Sequence, residues 1–179
     1  IGIMSFKGKC FVKTLFNAFV GIPTVSLGLL LYVLFSRSGP LGPIDLLYTV
    51  PGMAIGEAVL VIPIVVSFTT SAIESKDIQL RDLVRTLGAS ELEMSLAILR
   101  EAYSGVSLAV VSSFNRAFAE LGIAMMIGAN IRGLTRVLTT AIALETAKGD
   151  IGLSFALSFI LIAAVLALNF LIGLLRREM

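Results

Sequence analysis

Apolar residues gather in four long runs, at 12–35, 51–73, 103–127 and 151–175, with short polar stretches between them. A helix needs about 20 apolar residues to cross the roughly 30 Å hydrocarbon layer, because a shorter one leaves backbone polar groups unpaired in lipid. Each run meets that length, so the pattern predicts four transmembrane helices. Pro23 and Pro63 lie inside the first two runs. Proline removes a backbone donor and kinks a helix, which packed neighbours tolerate within a membrane.

The stretches between the runs differ in kind. Residues 36–49 (SRSGPLGPIDLLYT) are rich in Gly and Pro and read as a turn. Residues 128–150 open with GANIRG, and then Val137, Leu138, Ala141, Ile142 and Leu144 recur at the spacing of a short helix, too short to span. The central connection, 74–102, reads as a helix-turn-helix. Leu80, Leu83, Val84 and Leu87 make an amphipathic first helix that ends at Gly88, a residue free to take the left-handed closing conformation. Ser90 and Glu93 are spaced as a capping box for a second helix, and Glu91 and Glu93 suit its positive dipole end. Leu92, Leu96, Leu99 and Tyr103 are expected to carry one apolar face straight into the third span.

Composition agrees with the pattern. Of 179 residues, 57% are hydrophobic and 15% charged, and the mean hydropathy is +0.98. A soluble chain is about 25% charged, so a water-soluble globule is excluded and an all-α integral membrane protein remains. The net charge of +2 is too small to suggest a nucleic-acid partner. Its distribution says more, since short cytoplasmic loops carry the Lys and Arg excess. With the N-terminus inside, Lys7, Lys9, Lys13, Lys76, Arg81, Arg85, Arg100, Arg176 and Arg177 fall on the cytoplasmic side. Arg37, Arg132, Arg136 and Lys148 fall outside, and Arg116 lies within the membrane. The 74–102 connection is then cytoplasmic. No internal repeat or linker divides the chain, which reads as one membrane domain over 1–179.

Enzyme chemistry finds little support. The chain has no His and one Cys, which removes His-based catalysis, HExxH metal sites and internal disulfides. Ser104, Ser107, Ser112 and Ser113 lack a neighbouring Lys or a nucleophile elbow and read as interhelical hydrogen-bonding groups. No GxxxxGK[ST] phosphate loop occurs, so nucleotide-driven work falls to a partner. No cofactor or metal is expected.

Glu57 in the second run, and Asn115, Arg116 and Glu120 in the third, are costly against lipid and should face the protein interior. Arg116 and Glu120 stand four apart on one helical face, the spacing of an internal ion pair. The other reading makes Asn115, Arg116 and Glu120 part of an anion pathway, with Arg116 supplying positive potential. A permanently unpaired Arg there would hold an anion too tightly for release.

The segment DLVRTLGAS, followed by Ile98, resembles the cytoplasmic signature of ABC importer permeases. In that signature Glu-Ala-Ala is followed after three residues by Gly and after nine more by Ile-x-Leu-Pro. Asp82, Gly88 and Ile98 keep the spacing. Leu83 and Val84 replace the alanines, and Arg100 and Glu101 stand where Leu-Pro is usual. Further along, FNRAFAELGIAMMIGANIRGLTRVLTTAIALETAKGD resembles the oxyanion permeases for sulfate, molybdate and tungstate. LREA, GANIRG, TRVLTTAIALET and SRSGPLGP look most like the tungstate type.

The resemblance implies a permease subunit of a type I ABC importer in a prokaryotic cell membrane, with four spans in this chain, a cytoplasmic coupling hairpin and a short outer helix. It implies a second permease copy, two cytoplasmic ATP-binding subunits and an extracytoplasmic oxyanion-binding protein. Asp82, Thr86, Leu87, Gly88, Ala89, Ser90 and Glu91 would then touch the ATPase, and Asn130, Arg132, Thr135, Arg136, Thr139 and Thr140 would form the outer gate. Members of the group usually carry a further N-terminal span, so a leading helix is expected ahead of Ile1. Two other classes stay open: an ion-coupled secondary transporter that moves a proton on Glu57 or Glu120, and a structural membrane subunit without transport activity.

Overall fold

The computed structural model describes residues 7–86 and 90–177, which form helices, turns and short irregular links, with no strand among them. Among the described residues, eight α-helices follow in chain order: α1 Lys9–Val20, α2 Thr24–Phe35, α3 Val50–Thr86, α4 Glu91–Glu101, α5 Tyr103–Phe118, α6 Gly122–Gly128, α7 Leu138–Lys148 and α8 Ile151–Arg177. Two of them contain stretches long and apolar enough to cross a membrane, Val50–Ser75 and Ile151–Leu174. Two further pairs reach that length only when joined across a break, α1 with α2 and α4 with α5, which gives up to four.

Three expectations from the pattern change. The first run is two helices, because Gly21 closes α1 and Pro23, in extended backbone, starts α2. Pro63 breaks nothing: α3 passes through it as one helix of 37 residues and continues beyond the apolar run to Thr86. The amphipathic first helix of the central connection is therefore the end of α3 and not a separate element. Its expected stop at Gly88 lies outside the described residues. The third run, expected as one helix to Ile127, ends at Phe118 and resumes as the seven-residue α6.

The chain divides into two compact units, one of residues 1–21 and 61–114, the other of 22–60 and 115–179. In the first, Ile73 of α3 packs with Met94, Ile98 and Ala102, the last being the C-cap of α4. The buried face of α4 is thus Met94 and Ile98, while Leu92 and Leu96 are 77% and 57% exposed and Leu99 and Tyr103 also lie outside the core. The helix does not run straight on either, since α4 and α5 meet at 61°. The capping box forms as expected: the Ser90 amide donates to the Glu93 carboxylate at 2.8 Å, and the Glu93 amide donates to Ser90 Oγ at 3.4 Å. These contacts hold the Glu93 carboxyl below the usual carboxylate range. Elsewhere in this unit Lys9 and Lys13 share Glu74, and Ser67 donates to Asn17. Ser107 spends its hydroxyl proton on the Ser104 carbonyl one turn earlier, at 3.0 Å.

In the second unit, Leu31 and Phe35 of α2 and Met53 and Leu60 of α3 pack with Ile123, Ala124 and Ile127 of α6. The approach of α2 to α6 depends on glycine. A Cβ on Gly122 would stand 2.9 Å from the Val25 backbone nitrogen, closer than real side chains come. Residues 36–49 form the expected turn around a short 3₁₀ segment, Gly42–Ile44, and are tied down where the Tyr48 amide donates to the Ile127 carbonyl at 2.8 Å. The short helix read from 137–144 is α7, which packs along α8.

Candidate functional site

The polar groups of the second unit converge where α5 gives way to α6. Glu120 sits in that break with its side chain 1% exposed. One carboxylate oxygen accepts the Gly122 amide at 2.7 Å and the Ile123 amide at 3.3 Å. These are opening amides of α6, which have no partner within the helix. The other oxygen takes Arg116 Nη1 at 3.1 Å. Glu120 therefore does what its spacing predicted, pairing with Arg116, and also what the spacing did not show, capping the next helix. Its backbone carbonyl is held too, by the Thr139 hydroxyl at 2.9 Å.

Beside this carboxylate lies a cavity of about 500 Å³, whose polar lining comes from Glu57, Glu120, Arg136 and Thr139. The remaining wall is mainly apolar, including Met53, Phe118 and Leu161. Glu57 of α3 has one buried carboxylate oxygen, Oε2, without a hydrogen-bond partner. Arg136 is held from behind, with Nε donating to Asn130 Oδ1 at 3.1 Å and Nη2 to the Asn130 carbonyl at 3.4 Å.

The residues expected in the outer gate separate into two kinds. Thr135 and Thr140 are 1% and 0% exposed and spend their hydroxyls on the backbone. Thr135 accepts the Ile131 amide and donates to the Gly128 carbonyl, and Thr140 bonds the amide and carbonyl of Val137. Both shape the 128–140 turn. Arg136 and Thr139 face the cavity, Asn130 backs Arg136, and Arg132 is exposed.

Asn115 stands apart from the cavity lining and pairs with Asn169 of α8 through two reciprocal amide contacts. Sequence reasoning missed Asn169. The signal was available, because a single amide inside an apolar run of this length needs an interior partner. Of the residues expected at the ATPase contact, Asp82 and Thr86 lie on the last turns of α3, Ser90 caps α4 and Glu91 is its first residue. Leu87, Gly88 and Ala89 lie outside the described residues.

A polar constellation set among apolar helices fits a transport component, and comparison with known proteins decides the family. The family model described as "Binding-protein-dependent transport system inner membrane component" matches residues 3–179. The chain belongs to this family. It is a multi-pass membrane permease of the ABC transporter class. It is 37% identical over 174 residues to the "Probable anion ABC transporter permease protein" of Haloferax volcanii, which covers 94% of this chain and 75% of that protein. The "Tungstate uptake system permease protein TupB" of Peptoclostridium acidaminophilum is 36% identical over 177 residues, 99% of this chain and 78% of its own. The protein of the same name from Campylobacter jejuni is 37% identical over 172 residues, 96% of this chain and 72% of its own. Permeases of this family are transport components that work with ATP-binding and substrate-binding partners.

Proposed function

We propose that this chain is the permease subunit of an ATP-driven tungstate importer. The observation that carries the reading is its similarity, across almost the whole chain, to two permeases named for tungstate uptake. Two copies form the pathway, and residues 1–179 of each contribute four spans. The 74–102 connection sits on the cytoplasmic side and docks on an ATP-binding subunit through Asp82, Thr86, Leu87, Gly88, Ala89, Ser90 and Glu91. The continuity of α3 from the apolar Val50–Ser75 stretch to Thr86 supports this role. A push at the end of an unbroken helix passes along its axis without being absorbed in a joint.

On the opposite side, Asn130, Arg132, Thr135, Arg136, Thr139 and Thr140 belong to the outer gate that closes the pathway, and Asn115, Arg116 and Glu120 belong to the pathway itself. The binding protein selects the anion and the permease passes it on, which requires contacts weak enough for release. An ion-coupled carrier needs no binding protein, so membership in a binding-protein-dependent family favours the importer. In that reading Glu120 is a structural cap and not a proton carrier.

The decisive experiment reconstitutes the chain with its ATP-binding subunits and its binding protein in vesicles, and measures ATP hydrolysis with tungstate, molybdate or sulfate. Stimulation strongest with tungstate, and abolished by Gly88→Glu, is the expected result. Purification without any ATP-binding subunit, together with unchanged transport in Gly88→Glu, sinks the importer reading.

A further inference from the structure

The cavity beside Glu120 holds one guanidinium with donors to spare and one carboxylate oxygen with no partner, and these belong to Arg136 and Glu57. The geometry points to Glu57 as a second seat for Arg136: the guanidinium leaves Asn130, pairs with Glu57 across the cavity, and so forms a latch that a tetrahedral oxyanion opens by competing for the same Arg. This inference rests on the transport reading above and deepens it by naming the anion-sensitive pair.

Four observations support it. Arg116 is already engaged elsewhere, its Nη1 donating to Glu120 at 3.1 Å. Glu120 already accepts three donors, from Arg116 and the amides of Gly122 and Ile123. Thr139 has spent its hydroxyl proton on the Glu120 carbonyl. Among the described residues, the hydrogen bonds of Arg136 go to neutral acceptors of Asn130, its side-chain Oδ1 at 3.1 Å and its backbone carbonyl at 3.4 Å.

The chemistry then follows from charge. A carboxylate oxygen buried without a partner is costly, and a charge-assisted pair is stronger than the neutral contacts to Asn130. Carboxylates and tetrahedral oxyanions both take a guanidinium through two parallel N–H donors, so they compete for one arginine. A cavity of about 500 Å³ has room for such an anion with several waters. With Arg136 on Glu57 the charges cancel and nothing holds an anion. When an anion draws Arg136 away, the Glu57 carboxylate is left facing it, which favours release over retention.

The test measures ATP-independent tungstate efflux from vesicles containing the assembled complex, in wild type, Glu57→Gln, Arg136→Gln and the exchanged pair Glu57→Arg with Arg136→Glu. Glu57→Gln keeps the shape of the side chain but loses the charged pair, and efflux should rise roughly tenfold, the size of one charge-assisted hydrogen bond. Arg136→Gln should raise it similarly, and the exchanged pair should return it toward wild type. Thermal unfolding midpoints of the same complexes identify any variant that merely falls apart. Wild-type efflux in Glu57→Gln, at an unchanged midpoint, overturns the latch. So does an exchanged pair whose efflux equals the sum of independent effects. Because efflux needs neither ATP nor binding protein, it is read separately from ATP-driven uptake. Loss of that uptake in the wild type counts against the importer assignment and not against the latch.

Discussion

Asn115 and Asn169 hold each other by both ends: Asn115 Nδ2 donates to Asn169 Oδ1 at 2.8 Å and Asn169 Nδ2 donates to Asn115 Oδ1 at 2.9 Å. The pair joins α5 to α8, 54 residues apart in the chain. Asn169 also donates to the Val165 carbonyl of its own helix at 2.8 Å. In an apolar surrounding such a pair is one means of giving two helices a fixed register, since apolar surface packs almost equally well against lipid or protein.

Truncating either Asn should therefore lower stability, and the two effects should overlap. Asn115→Ala and Asn169→Ala, measured singly and together by unfolding in detergent, are expected to show a coupling of about 0.6–1.7 kcal/mol, from the average to the upper end for hydrogen bonds between membrane helices. Strict additivity would mean that the reciprocal pair contributes nothing to packing.

Glu120 and Arg116 should respond very unequally. The Glu120 side chain is 1% exposed and Arg116 is 42% exposed. Removing the carboxylate strands two amides of α6 as well as the guanidinium, whereas removing the guanidinium leaves a carboxylate that is still bonded to amides. Glu120→Ala is expected to cost about 2–4 kcal/mol, reduced from the full buried-pair value because Arg116 reaches solvent. Arg116→Leu should cost under half of that. Glu120→Gln, which keeps an acceptor for Gly122 and Ile123, should fall between them. Equal losses for Glu120→Ala and Arg116→Leu would refute the capping role.

Close approach of α2 and α6 makes a second stability prediction. The obstacle to a Cβ on Gly122 is backbone, the Val25 nitrogen at 2.9 Å, which moves only if α2 moves. Gly122→Ala should destabilise by about 1–3 kcal/mol, the usual cost of overpacking. Gly173 has nothing within 4 Å of the added methyl, so Gly173→Ala should leave the unfolding midpoint unchanged or slightly raised. A midpoint for Gly122→Ala no lower than that for Gly173→Ala would show that the helices do not pack this closely.

The cap at Ser90 has a pH signature. Hydrogen bonds from Ser90 lower the Glu93 carboxyl in the folded chain. A lowered carboxyl contributes stability that is fully present above its unfolded value and is lost as pH falls through its folded value. Ser90→Ala should accordingly speed amide exchange in the first turn of α4 at neutral pH. The difference from wild type should shrink once the pH drops below the ordinary carboxylate range. A difference that stays constant down to acid pH would assign the effect to the hydroxyl alone.

Some of this architecture is readable in residue order. The capping box at Ser90 and Glu93, the pairing of Arg116 with Glu120 and the short helix over 138–148 are local, each set by residues three or four apart. The site residues that mislead are the threonines. Thr135 and Thr140 look like free donors in the sequence and are buried turn-formers in the fold. Whether a hydroxyl meets a ligand or the nearby backbone depends on how the chain returns on itself, which spacing does not reveal.

Apolar run length and the placement of Lys and Arg are enough to establish a helical membrane protein, because lipid demands internally bonded backbone and long apolar segments whatever their neighbours. They do not say which face of a helix is inside. By spacing, Leu92, Leu96 and Leu99 make as plausible a core face as Met94 and Ile98, and only packing against Ile73 separates them. In the same way, the end of α5 at Phe118 follows from Glu120 finding the amides of Gly122 and Ile123, and the partner of Asn115 follows from where α8 lies. Within a membrane, lipid and protein interior are nearly alike in polarity, so hydrophobicity carries little information about contact. Shape and a few polar pairs choose among faces, and those exist only once the helices have met.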